Sequence, residues 1–181
     1  MTLPTAADIV AFWREAGPER WFEKNEAFDA EITRRFLPVH EAAAAGKLDG
    51  WQDTPEGAFA LLILLDQFPR NMFRGSPRAF ATDAKALAIA EEAIAKGFDQ
   101  HYQPPEQRFF YMPHMHSEEL ADQQRCVDLC AAAEDAEGVK FAVIHRDIIR
   151  DFGRFPHRNA VLGRRTTAQE REFLAEGGFA G

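Results

Sequence analysis

The residues best equipped for chemistry gather in two similar corners. Phe68, Pro69, Arg70 and Asn71 lead through Arg74 to Gly75; Phe155, Pro156, His157, Arg158 and Asn159 lead to Gly163, the second copy differing by the inserted His157. If both corners face one cavity, Arg70, Arg74, Arg158 and Arg164 present planar donor forks to a carboxylate or phosphate. Helix starts at Ser76 and Thr167 would add oriented amides for the same anion. His157 lies between Arg154 and Arg158, and neighbouring cations depress an imidazole's pKa, so it is the candidate general base. A structural reading competes: Pro stops a helix, Asn71 and Asn159 take cap geometry, Gly completes the turn, and Arg covers helix-end carbonyls.

A second polar group precedes the next helix. His114, His116 and Glu118 alternate, and in an extended segment a two-residue spacing points both imidazoles the same way. A transition-metal site needs three or four ligands, and neither an HExxH motif nor a paired-cysteine motif supplies them, so no metal is expected and no cofactor is specified. Asp66 ends an all-apolar stretch and must be paired to offset its desolvation; Arg70 or an Arg of the second corner is the expected partner. His145, between Phe141 and Phe152, reads as a hydrogen-bonded core residue. Arg146, Arg150 and Arg154 form a ridge beside Asp147 and Asp151, read as a solvated, ion-paired face.

The chain carries no serine elbow, Walker loop or dinucleotide-binding glycine loop, so whether it is an enzyme stays open. The leading expectation is a pocket for an anionic small molecule, catalytic or not, drawn from Asp66, Arg70, Asn71, Arg74, His114, His116, Glu118, Arg154, Arg158, Asn159 and Arg164 with His157. The alternative is a helical module that docks a protein partner.

These residues need elements to hold them. The chain has 181 residues, 46% of them hydrophobic, with 16 Phe and 3 Trp, which suits one globular domain spanning 1–181. A net charge of -8 opposes nucleic acid and anionic membranes as partners, although Lys140 to Arg171 holds eight bases against three acids. Ala58 to Leu65, the longest apolar run, is far short of the ~20 residues a bilayer demands, and a cytoplasmic address follows as the expectation. Cys126 and Cys130, four apart in a helical stretch, read as buried thiols rather than a disulfide.

Helix signals run throughout and no alternating strand pattern interrupts them, so an all-α bundle of about seven helices is expected. Thr5 with Asp8 and Thr167 with Glu170 have capping-box spacing; Asn25 and Thr54 are N-caps. Pro38 should kink the second helix, and Pro69 should close the all-apolar central one. One amphipathic helix is expected from Ser76 to Lys96. Ser117 should cap another helix that ends at Gly138, after which Phe141, Ile144, Ile148 and Phe152 should face the core.

Three stretches, Leu64 to Arg74 (LLDQFPRNMFR), Phe110 to Gln123 (FYMPHMHSEELADQ) and Phe152 to Thr167 (FGRFPHRNAVLGRRTT), resemble the signature blocks of the bacterial domain-of-unknown-function family DUF924. The resemblance implies a compact all-helical fold of the tetratricopeptide-like class and brings no established activity. The sequence shows no roughly 34-residue repeat of the tetratricopeptide pattern, so fold alone says little about function.

Overall fold

The computed structural model describes residues 3–179, and the fold is all-α. In chain order the helices are α1 (Ala6–Ala16), α2 (Pro18–Trp21), α3 (Glu26–Ala44), α4 (Pro55–Leu62), α5 (Phe68–Met72), α6 (Asp83–Ala95), α7 (Met112–Met115), α8 (Leu120–Ala132), α9 (Ala136–Phe152) and α10 (Ala168–Ala175). Seven of these run eight residues or longer. No helix among the described residues is long and apolar enough to cross a membrane.

The N-terminal signals act as their spacing implies. Thr5 and Asp8 close a capping box on α1, Thr167 and Glu170 close one on α10, and Asn25 and Thr54 accept from Phe28 and Gly57 amides. The all-apolar stretch is central: every side chain from Ala58 to Leu65 is buried, with α1 and α6 against α4. Aromatic rings seal this core, Trp13 meeting Trp21, Phe28, Phe68 and Phe109 at 5.6 to 6.4 Å. A smaller apolar group, Ile148, Ile149 and Phe155 with Phe152, Phe173 and Phe179, joins the end of α9 to α10.

α3 runs through Pro38 to Ala44, as its expected extent requires. Four boundaries elsewhere depart from the sequence expectation. Pro69 does not close the central helix, because Ile63–Gln67 widens into a π-helical turn that carries the chain into α5. The wide turn and the missing proline N–H free backbone carbonyls, and side chains cap them: His40 Nδ1 donates to Leu64 O (2.8 Å), Thr82 Oγ1 to Leu65 O and Arg70 Nη1 to Asp66 O (2.7 Å). This turn sets Asp66 into the interior beside Arg70.

The expected Ser76–Lys96 helix is instead a 3-10 turn, Pro77–Phe80, followed by α6 from Asp83. The break lets Thr82 reach Leu65 and places Asp83 at a helix start. Ser117 caps nothing as an N-cap residue; α8 begins at Leu120, while Ser117 Oγ accepts from Glu119 N–H (3.1 Å) and donates to Asp122 (2.6 Å). Gly138 lies in the first turn of α9 rather than ending a helix, since a Cβ there would collide with the Asp135 carboxylate and sit 3.1 Å from Arg108 Nε.

Candidate functional site

The two corners meet, but through only two of their arginines. Arg70 grips Asp83 with both arms, Nη1 to Oδ1 at 2.9 Å and Nη2 to Oδ2 at 3.0 Å. Arg158 comes from the second corner to the same carboxylate, its Nη1 3.8 Å from Asp83 Oδ2, and donates Nη2 to the His116 carbonyl at 2.9 Å. Both guanidiniums lie over Phe80, at 5.5 Å for Arg70 and 4.5 Å for Arg158, which also lies over Phe155 at 4.5 Å.

Arg158 is the less satisfied cation. It is 7% exposed and its Nε has no partner. Burial, followed by the charge of Arg70, pushes its pKa down to about 10.

Asp66 is buried beside this pair. Its Oδ1 accepts from His116 Nδ1 at 2.7 Å and its Oδ2 from Gln67 Nε2 at 2.6 Å, while Arg70 Nη1 lies 3.5 Å from Oδ1. Burial alone would raise its pKa, but His116 and Arg70 hold the carboxyl below its ordinary range. Burial and Arg70 keep His116 below the ordinary imidazole value despite the carboxylate. The neutral ring therefore donates from Nδ1 and leaves Nε2 as a free lone pair, the arrangement by which a carboxylate orients a general base. The expected Arg70 partner for Asp66 is present at the longer distance; the pairing with His116 is what spacing did not reveal.

Two more imidazoles line the same neighbourhood. His145 donates Nδ1 to Phe141 O at 2.8 Å, and burial lowers its pKa to about 4. His157 has a buried Nδ1 without a partner and a pKa lowered to about 4, by burial first and Arg158 second. Arg154, expected to flank it, turns to Glu170 instead. Phe179 covers both rings, with centroids 4.5 Å from His145 and 5.3 Å from His157.

The remaining candidates are engaged in locking the corners. Asn71 Nδ2 donates to Asp29 Oδ1 (2.7 Å), and Arg74 grips the same carboxylate at 2.9 and 3.1 Å. Arg164 holds Glu118 at 2.7 and 3.0 Å, and also bonds Asn159 Oδ1 and Phe155 O. Glu118 accepts the Phe155 N–H at 2.9 Å. Arg154 holds Glu170 at 2.7 and 3.0 Å, and Asn159 Nδ2 donates to the same carboxylate at 3.1 Å. These contacts are structural, but they run to side-chain carboxylates rather than mainly to the helix-end carbonyls expected, and Asn71 and Asn159 have helical backbone instead of the expected cap geometry. They leave Arg70 and Arg158 as the pair that converges.

His114 does not share a side with His116. The segment is helical, so residues two apart are turned by roughly 200° about the axis rather than aligned. His114 is fully buried with neither nitrogen partnered, and burial lowers its pKa to about 4. Among the described residues no three His, Cys, Asp or Glu side chains are grouped to hold a metal.

Asp83 and Phe80 were absent from the sequence expectation. Within one continuous helix Asp83 would read as an exposed mid-helix acid; only the break at Ala81 and Thr82 aims it at both arginines. Glu170 gives a test of the corner lock. Glu170→Gln keeps the size but cannot accept both arms of Arg154 together with the Asn159 and Thr167 donors, so the melting temperature is expected to fall by several degrees. An unchanged thermal melt would show that the lock contributes nothing.

The family model described as "Bacterial protein of unknown function (DUF924)" matches residues 9–178. A solved structure of a protein of unknown function from Agrobacterium tumefaciens is similar at 49% identity with a TM-score of 0.92, over 95% of this chain and 97% of that one. No curated protein matches.

Proposed function

The chain belongs to this bacterial family of unknown function, and we propose that Arg158, Arg70, His116 and Asp66 form a binding site for a small anionic ligand, a carboxylate or phosphate. The supporting observation is Arg158, a buried cation with an idle Nε that shares one carboxylate with the better-placed Arg70. A second anion beside Phe80 relieves that deficit, and in a water-poor setting the attraction between opposite charges is strong. Asp83 models the chemistry that the two forks accept.

His116 is the proton acceptor of the proposed site. Its Nδ1 is held by Asp66, so its Nε2 lone pair is oriented, and depressed basicity keeps it neutral at pH 7. His157, whose Nδ1 has no partner, is the second candidate base. Both stand near the cation that would fix an anionic substrate, an arrangement suited to removing a proton from a bound acid or phosphate ester.

Thermal melts of the full chain against phosphate, phosphate monoesters and mono- and dicarboxylates test the reading. A ligand present at a hundred times its Kd stabilises by about 2.7 kcal/mol, several degrees for a chain of this size. Stabilisation by at least one anion class and by none of the matched cations is the expected result. A flat response to every anion overturns the proposal.

A further inference from the structure

We propose that the chain forms a two-fold dimer through the outer face of α9. The sequence pattern aims Phe141, Ile144, Ile148 and Phe152 at the core, but the structure splits that stripe. Phe141 and Ile144 are 40% and 39% exposed. Phe141 lies outside an apolar groove of about 260 Å³ that Ile144, Ile148, Phe152, Phe173 and Phe179 line and the Asp147 and Asp151 carboxylates rim. Phe141 is thus the knob, and the groove lies farther along the same helix, walled by α9, α10 and Phe179.

That layout is self-complementary. Phe141 and Ile148 are seven residues apart, about 10 Å along the axis, with Ile144 near the midpoint. An antiparallel second copy, related by a two-fold axis near Ile144, seats each Phe141 in the other's groove in a single operation, and the contact closes on itself. Charge selects the same register. Lys140, exposed beside Phe141, comes to the acidic rim of the opposite groove, where Asp147 and Asp151 are 37% and 54% exposed and have oxygen positions open beyond their Arg146 and Arg150 partners. A parallel copy would set Lys140 against Lys140 and acid against acid, which is disfavoured. A second copy therefore fits this face in shape and in charge, independently of whether the anion site binds anything. The pairing also covers Phe179, the ring that lies over His145 and His157.

One helix face with a groove is a small contact, so a dissociation constant on the order of 10 µM is expected. Sedimentation equilibrium of the full chain from about 1 to 300 µM should show the mass rising from 20.4 kDa toward twice that value. Ile144→Asp, a change at a partly exposed position, should weaken association by at least about 30-fold while leaving the thermal melt in place. Lys140→Glu should weaken it about tenfold, and Lys140→Glu combined with Asp151→Lys should restore most of the loss, because only the antiparallel register brings those two charges together. A chain that stays monomeric to the highest concentration overturns the proposal, as does a dimer indifferent to Ile144→Asp. Failure of the charge exchange to recover any affinity overturns the antiparallel register.

Discussion

Acidification from pH 7 to pH 4 is expected to remove most of the folding stability. His114 and His145 are buried and His157 is half-buried, all as neutral rings, and burial lowers each pKa to about 4 from an ordinary value of 6.5. The unfolded chain therefore takes up these protons first. Stability is full above pH 6.5 and is lost as pH falls from there through about 4, the direction set by depressed folded-state values. One pKa unit is about 1.4 kcal/mol, so each ring forfeits on the order of 3 kcal/mol across the window, and the three together rival the 5–15 kcal/mol typical of a whole domain. Asp66, Glu118 and Asp135, held below the ordinary carboxylate range, add their losses only at the acidic end. Urea unfolding at pH 7, 5.5 and 4.5 checks this, with the steepest loss below pH 6.5. His114→Leu, which removes two unpartnered buried nitrogens, should reduce the slope by about a third. A stability flat between pH 7 and 4.5 would contradict the burial of these rings as neutral species.

The second large effect is expected from Asp135→Ala. Arg108 and Asp135 are 6% and 5% exposed and bond through two contacts, 2.6 and 2.7 Å, while Asp135 also caps α9 by accepting the Gly138 N–H at 2.9 Å. Removing the carboxylate strands a buried guanidinium with only the exposed Glu137 for a partner and opens the helix start. Breaking a buried pair costs about 3–5 kcal/mol, and losing a cap about 1 more. Because α9 carries His145, the loss should reach the candidate site as well. Chemical denaturation of Asp135→Ala measures it; Asp135→Ala combined with Arg108→Met should recover part of the loss, since no uncompensated charge is left. A single variant within about 1 kcal/mol of the parent would contradict the pair's structural role.

Local signals were legible because short-range chemistry sets them. The capping residues Thr5, Asn25, Thr54 and Thr167 satisfy helix amides within three residues, so their spacing suffices. The all-apolar run could only be central. What escaped was set by contacts between distant residues. Whether Pro69 ends a helix depends on His40, Thr82 and Arg70 reaching the freed carbonyls, and the break before Asp83 depends on Thr82 turning toward Leu65. Gly138 signals a helix end by type, yet its lack of a Cβ makes room for the Asp135 carboxylate.

The candidate site divided along the same line. The repeated corner announced itself through Phe, Pro, Arg and Asn, and both copies are indeed locked by ion pairs. Which arginine of each corner turns inward could not be read from spacing: Arg74 and Arg164 find Asp29 and Glu118, whereas Arg70 and Arg158 share Asp83. The pairing of His116 with Asp66 spans 50 residues of chain. On the α9 face, hydrophobic periodicity identified the stripe but could not say which half of it is left uncovered.

The proposal rests on Arg158 being retained for a ligand rather than for the fold, and Arg158→Met examines that most directly. Methionine fills similar space between Phe80 and Phe155 without an unsatisfied Nε. Measured with and without the stabilising anion, the variant should melt within about 3 °C of the parent while losing the anion-induced shift. A melting temperature lower by about 10 °C with the anion shift intact would make Arg158 a structural clasp and contradict the account.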